Sequence, residues 1–100
     1  MQKIHALSQR FGFKIIEDAC HAIGGKYQDQ YIGNCRFSDI TVFSFHPVKI
    51  ITTAEGGMAL TNDPILAEKM SLLRSHGVTR DSHLMSREPE GAWYYEQIQL

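Results

Sequence analysis

Hydrophobic positions recur along this chain with two different periods. In the opening stretch MQKIHALSQRFGF, Ile4, Leu7 and Phe11 fall at the spacing of one helix face, and Gly12 follows where a left-handed residue ends a helix. An amphipathic helix is predicted there. KIIEDA, residues 14–19, is a short apolar run with β-branched residues that ends in two carboxylates, the pattern of a buried parallel strand reaching the carboxyl edge of its sheet. HAIGGKYQDQYIGNCRFSD is broken by glycines at 24, 25 and 33, so it reads as an irregular excursion with a small hairpin around Gln28 to Gln30. ITVFSF, residues 40–45, is β-branched or aromatic except for Ser44 and is the strongest strand signal; Pro47 ends it. GGMALTN gives a further strand after a glycine turn. Asn62 or Asp63 then caps a helix with Pro64 in its first turn, with Leu66, Met70 and Leu73 on one face and Gly77 as its stop. Residues 78–91 are polar and aperiodic, which predicts a mobile surface loop, and Trp93, Tyr94 and Tyr95 form an aromatic cluster with no visible partner element. Helices alternating with strands predict an α/β fold, and no repeat or linker divides it.

Composition narrows this picture. With 100 residues and 43% hydrophobic composition the chain is at most one domain. At that length roughly two thirds of the unfolded surface is buried on folding. The core is therefore small and its stability marginal unless the piece packs on something else, which leaves open that the chain is a fragment. Its net charge is −1 with Lys and Arg scattered singly, so neither a nucleic-acid stripe nor a polybasic lipid patch is present and neither partner is expected. No apolar run approaches the roughly 18 residues of a membrane helix, and the N-terminus lacks the apolar core of a signal peptide, which predicts a cytoplasmic location. Cys20 and Cys35 have no C-x-x-C spacing and read as two buried free thiols. His5, His21, His46, His76 and His83 include no pair at zinc-ligand spacing, so no metal site is expected.

Three polar residues sit where the strand reading puts strand ends: Asp18 after KIIE, Ser44 near the end of ITVFSF, and Lys49 just past it. Open α/β sheets bind ligands at the carboxyl ends of their strands, so these side chains can face one crevice. A partly desolvated lysine supplies a neutral amine able to form a Schiff base with an aldehyde. A carboxylate against a pyridine nitrogen keeps that nitrogen protonated, and a serine hydroxyl can donate to phosphate. Lysine with aspartate is the minimum set for pyridoxal phosphate chemistry. Taken singly, each has a plainer reading: Asp18 as a turn former and Lys49 as a solvated loop residue.

IIEDACHAIGG, DITVFSFHPVKIITTAEGGMALTND and LRSHGVTRD, followed by EPEGAWYYEQIQL, resemble in order the sugar aminotransferases of the DegT/DnrJ/EryC1/StrS family. The resemblance implies the aspartate aminotransferase-like, fold type I three-layer α/β/α architecture, with residues 1–100 forming the central part of its pyridoxal-phosphate-binding large domain. It implies that Lys49 holds the cofactor as a Schiff base, that Asp18 pairs with the pyridine nitrogen, that His21 lies near the phenolic oxygen and that Ser44 binds the phosphate. Glu55, Gly56 and Gly57 resemble the AEGG turn, where glycine allows backbone geometry that a side chain forbids, with Thr52 and Thr53 as supports of the lysine loop. The implied activity moves an amino group from an amino acid, L-glutamate in most of the family, to a 4-keto nucleotide sugar, in a homodimer with composite sites. The family's phosphate-holding turn and ring-stacking aromatic are expected before Met1, and its GYNYRM segment and small C-terminal domain after Leu100. The 100 residues alone are therefore expected to bind the cofactor poorly or not at all. Two other readings remain at this stage. A sugar dehydratase of the same family would carry His in place of Lys49, and a cofactor-free fragment would keep the fold without activity.

Overall fold

The computed structural model describes residues 1–98, in two compact units that divide after Pro64. The first unit begins with α1 (Gln2–Phe11), closed by Gly12 at φ 75°, whose amide donates to the Ser8 carbonyl at 2.7 Å. The predicted apolar face is present but uncovered, with Ile4, Leu7 and Phe11 all exposed. Instead α1 buries Ser8 and sets the His5 ring edge-on to Phe37.

β1 (Ile16–Asp18) is shorter than the KIIEDA run predicts, because Ile15 is already tied sideways: its amide donates to the Asp39 carboxylate at 2.8 Å. Asp39 also accepts from Lys14 Nζ at 2.9 Å, and its carboxyl is held below the usual range first by the Ile15 amide and then by Lys14. The glycine-broken excursion contains the predicted hairpin, β2 (Lys26–Tyr27) and β3 (Gln30–Tyr31), joined by Gln28 and Asp29 at φ 51° and 61°. Positive φ at both loop positions matches the twist of the flanking strands.

β4 (Ile40–Ser44) lies in the middle of a three-stranded sheet, parallel to β1 and antiparallel to β5 (Gly57–Leu60). Because side chains alternate across a pleated strand, the register puts Ile16, Asp18, Val42 and Ser44 on one face and Glu17, Thr41, Phe43, Met58 and Leu60 on the other. The expectation of a strand buried on both sides fails at Ile16, which is 68% exposed. The Thr41 face is closed at Thr41 and Phe43, while Met58 on β5 remains exposed. Phe43 joins Ile15, Ala19 and Cys35 in the small core, and Thr41 is fully buried. The Thr41 hydroxyl bonds the Glu17 carboxylate at 3.2 Å and the Ser38 hydroxyl at 2.9 Å, while the Cys35 thiol donates to the Leu60 carbonyl at 3.2 Å. Among the described residues no buried side-chain nitrogen or oxygen lacks a partner.

α2 (Pro64–Arg74), which begins at the boundary of the second unit, opens on the proline expected in the first turn. Gly77, at φ 72°, returns its amide to the Leu72 carbonyl at 3.0 Å, so the glycine stop acts three residues beyond the last helical residue. Leu66 and Met70 are half-buried as expected, whereas Leu73 is exposed, since α2 buries none of its side chains. Residues 78–91 are irregular over most of their length, as their composition predicts, but two short elements order them. They contain β6 (Val78–Thr79), which pairs with β7 (Glu96–Gln97), and a 3-10 turn at Ser82–Leu84 where the Asp81 carboxylate accepts from the His83 amide. β6 is thus the partner element that the stretch containing the aromatic cluster lacked in the sequence. The Glu96 carboxylate accepts from the Ser86 amide at 2.8 Å, the Arg87 amide at 3.0 Å and the Tyr94 hydroxyl at 2.9 Å. Gln99 and Leu100, the end of the EPEGAWYYEQIQL stretch, lie outside the described residues.

Candidate functional site

Two chain reversals bring the chemistry-bearing residues together. The first follows β1. There the Ala19 amide continues the ladder to the Val42 carbonyl at 2.9 Å, and the Ala22 amide turns back to the Ala19 carbonyl at 2.9 Å. Within this turn Asp18 Oδ1 accepts from the Cys20 amide at 3.0 Å, the i to i+2 bond by which aspartate stabilises a turn. The plain reading of Asp18 as a turn former is therefore correct, and it holds the carboxylate at the strand end as well.

The second reversal joins β4 to β5. Phe45 anchors it: its amide donates to the Gly56 carbonyl at 2.8 Å, and its carbonyl accepts from the Thr53 amide at 3.0 Å and the Thr52 hydroxyl at 2.9 Å. Thr52 and Thr53 are the supports expected of them. Gly56 is required for space rather than for unusual φ, since a Cβ there would collide with the Thr53 hydroxyl. Ser44 Oγ accepts from the His46 amide at 3.4 Å, which leaves its own hydrogen free to donate, and the Lys49 amide closes a turn onto the His46 carbonyl at 2.9 Å.

Across these reversals Lys49 Nζ meets His21 Nε2 at 2.8 Å. Lys49 is half-buried, and His21 and Asp18 are exposed. The Asp18 carboxyl is held below the usual range, first by the Cys20 thiol, then by the Cys20 amide, with smaller electrostatic help from the nearby Lys49 and His21. The same contact pushes the Cys20 thiol up, because its proton is shared with a carboxylate. Asp18, Cys20, His21 and Lys49 thus form one electrostatic cluster. Ser44 stands apart from it, on the Asp18 face of the sheet at the β4 end, with the His46 amide as its bonded neighbour.

Sequence reasoning missed Cys20. Read as a buried thiol, it is half-buried and supplies the contacts that hold Asp18; Cys35 is the buried one. The signal was available in its position two residues after a strand-end aspartate. A separate cleft of about 300 Å³ lies between α1, at His5 and Ser8, and the segment of Cys35, Ser38 and Asp39, and none of the cluster lines it. Among the described residues no group of three or more His, Cys, Asp or Glu is arranged to hold a metal ion, and no helix is long and apolar enough to cross a membrane.

The donor set fits pyridoxal phosphate: a primary amine for an aldehyde, an ionised carboxylate for a pyridinium, an imidazole, and a hydroxyl with a free hydrogen for phosphate.

Comparison with known proteins gives a family and a set of relatives. Residues 1–91 match the model of the DegT/DnrJ/EryC1/StrS aminotransferase family. Over 80 residues, 80% of this chain and 21% of the relative, the sequence is 42% identical to the UDP-4-amino-4,6-dideoxy-N-acetyl-beta-L-altrosamine transaminase of Campylobacter jejuni. The structure superimposes on Helicobacter pylori PseC, an aminotransferase involved in the biosynthesis of pseudoaminic acid, with a TM-score of 0.80 and 35% identity, covering 99% of this chain and 24% of that one. It also matches the PLP-form of a putative sugar aminotransferase from Streptococcus pneumoniae, with a TM-score of 0.66 and 29% identity over 98% of this chain and 25% of that one. The chain spans between a fifth and a quarter of the length of these relatives. Its α/β fold is that of part of the large domain of fold type I aminotransferases.

Proposed function

The chain belongs to the DegT/DnrJ/EryC1/StrS aminotransferase family, and we propose that it is the central part of the cofactor-binding large domain of a pyridoxal-phosphate-dependent nucleotide-sugar aminotransferase. The reaction moves an amino group from an amino acid, L-glutamate, to a 4-keto-6-deoxy sugar carried on UDP, in the making of a pseudaminic-acid-type surface glycan. The enzyme is read as a cytoplasmic homodimer. The observation that carries this reading is the Lys49–His21 contact of 2.8 Å beside the Asp18 carboxylate. The relatives support the substrate class, since two of them are named for this sugar chemistry.

When bound, pyridoxal phosphate supplies an aldehyde for amino groups and a pyridinium ring that draws electrons from the adjoining carbon. Lys49 Nζ would hold that aldehyde, and as a free amine it would be the base that takes the proton from the donor's Cα. Asp18 would keep the proton on the ring nitrogen, a task suited to a carboxyl that Cys20 holds ionised. Ser44 would donate its hydroxyl hydrogen to the phosphate, and His21 would orient the ring's hydroxyl oxygen. A lysine at position 49 argues against the dehydratase reading, whose members carry histidine there.

The test is transamination by the protein in its full encoded length, given pyridoxal phosphate, L-glutamate and a UDP-linked 4-keto-6-deoxy sugar. Formation of 2-oxoglutarate and the amino sugar is expected, and Lys49→Ala is expected to abolish both. Full turnover by Lys49→Ala contradicts the assignment.

A further inference from the structure

The Lys49–His21 contact contains more than a binding arrangement. An ammonium has three donors and no lone pair, and an imidazolium likewise has no lone pair to offer. Two such cations cannot hydrogen-bond, so a separation of 2.8 Å between Nζ and Nε2 requires one of the pair to be neutral. The arrangement that uses both groups in their ordinary forms is a Lys49 ammonium donating to the Nε2 lone pair of His21, with the imidazole proton on Nδ1.

The backbone enforces this meeting. His21 lies in the turn closed between Ala19 and Ala22, and the Ala19 amide is bonded to the Val42 carbonyl of β4. Lys49 hangs from the reversal that leaves the same strand, with its amide bonded to the His46 carbonyl. The titratable groups that share the cluster with His21 are Asp18 and Cys20 on the β1 side and Lys49 on the β4 side. Asp18 is occupied by Cys20, which leaves His21 as the acceptor that touches Nζ.

We infer that His21 is the proton acceptor of Lys49: it takes the proton that the ammonium must lose before the amine attacks an aldehyde, and returns it when water leaves. This rests on the reading of Lys49 as the aldehyde-binding lysine. In the first step an N–H bond at Nζ breaks and one forms at Nε2, so the positive charge passes from lysine to imidazole. The Lys49 lone pair then forms a bond to the aldehyde carbon, and a proton moves from nitrogen to the former carbonyl oxygen. Finally the C–O bond breaks, the imidazolium proton leaves with the hydroxyl as water, and nitrogen and carbon share a double bond that carries the positive charge. Lysine ammonium plus aldehyde gives the protonated C=N product plus water, with His21 unchanged.

The probe is formaldehyde with cyanoborohydride, applied to the full-length protein without cofactor, so the result does not depend on pyridoxal phosphate. A failure here leaves the cofactor reading standing, and a failure of the cofactor reading leaves this measurement intact. Initial methylation rates are read residue by residue by peptide mass spectrometry, with the exposed Lys3 and Lys69 as internal references. His21→Gln keeps a hydrogen-bond acceptor but cannot carry the proton. At pH 8 Lys49 of the wild type is expected to react about tenfold faster than in His21→Gln, the low end for a positioned base because the site is open to water. Equal rates at pH 8 overturn the inference. His21→Ala gives an independent reading: imidazole added to the buffer restores part of its Lys49 rate, and no restoration overturns the inference.

Discussion

Alternate residues of β4 meet opposite surroundings. Thr41 and Phe43 are 0% and 6% accessible, whereas Val42 and Ser44, one step along the same strand, are half-buried on the face that also takes Asp18. On the closed face the polar groups are spent on one another, in the Thr41–Glu17–Ser38 network. On the open face Ser44 keeps a free hydrogen, and past the strand end Lys49 Nζ meets the His21 imidazole. The difference shows how a strand with a period of two can hold a core and present a site at once. Substitutions on the two faces should therefore fail in different ways.

The largest effect is expected at Phe43. Phe43→Ala removes the largest buried hydrophobic side chain among the described residues and should cost about 3 kcal/mol or more of stability, read from a urea midpoint. The fraction that remains folded should still bind cofactor, and a fold that survives with its cofactor affinity lost would erase the distinction between the faces. Asp18→Asn should do the reverse. Turnover should fall about a hundredfold, the scale for removing one preorganised charge, with the unfolding midpoint little changed. Next comes Thr41→Val, which keeps shape but leaves Glu17 and Ser38 without their hydroxyl partner, at about 1–2 kcal/mol. A neutral result there would mean that the closed face owes its stability to packing alone.

The smallest effect carries a pH signature. The carboxyl of Asp39 is held low in the folded protein by the Ile15 amide and then by Lys14. A lowered folded value contributes stability that is complete above the unfolded value of about 3.9 and is lost as pH falls through the folded one. Asp39→Asn should thus be less stable than wild type at pH 7 and should converge with it below about pH 4. A gap that stays constant with pH would place the loss in shape rather than charge.

Much of this was legible in the sequence. The helix of Ile4, Leu7 and Phe11, the ITVFSF strand and the hairpin at Gln28 were readable because period and turn chemistry are local signals. The pairing of β6 with β7 was not. Two-residue strands have no period, and their order comes from single groups such as the Glu96 carboxylate bonding Ser86, Arg87 and Tyr94. At the site, the strand-end positions of Asp18 and Ser44 followed from the pattern, and Lys49 from its place after Pro47. The distance between Lys49 and His21 did not, since it depends on two reversals meeting across 28 residues of chain. Cys20 was misread because burial statistics describe cysteine in general and not one placed two residues after an aspartate.

The central claim is that the lysine at the open end of β4 is the residue that takes the cofactor. The direct measurement is borohydride reduction of the full-length protein after incubation with pyridoxal phosphate, followed by peptide mass spectrometry. The prediction is one stoichiometric pyridoxyl group on Lys49, removed by Lys49→Ala without transfer to Lys14 or Lys26. A pyridoxyl group spread over several lysines, or concentrated on any lysine other than Lys49, contradicts the account.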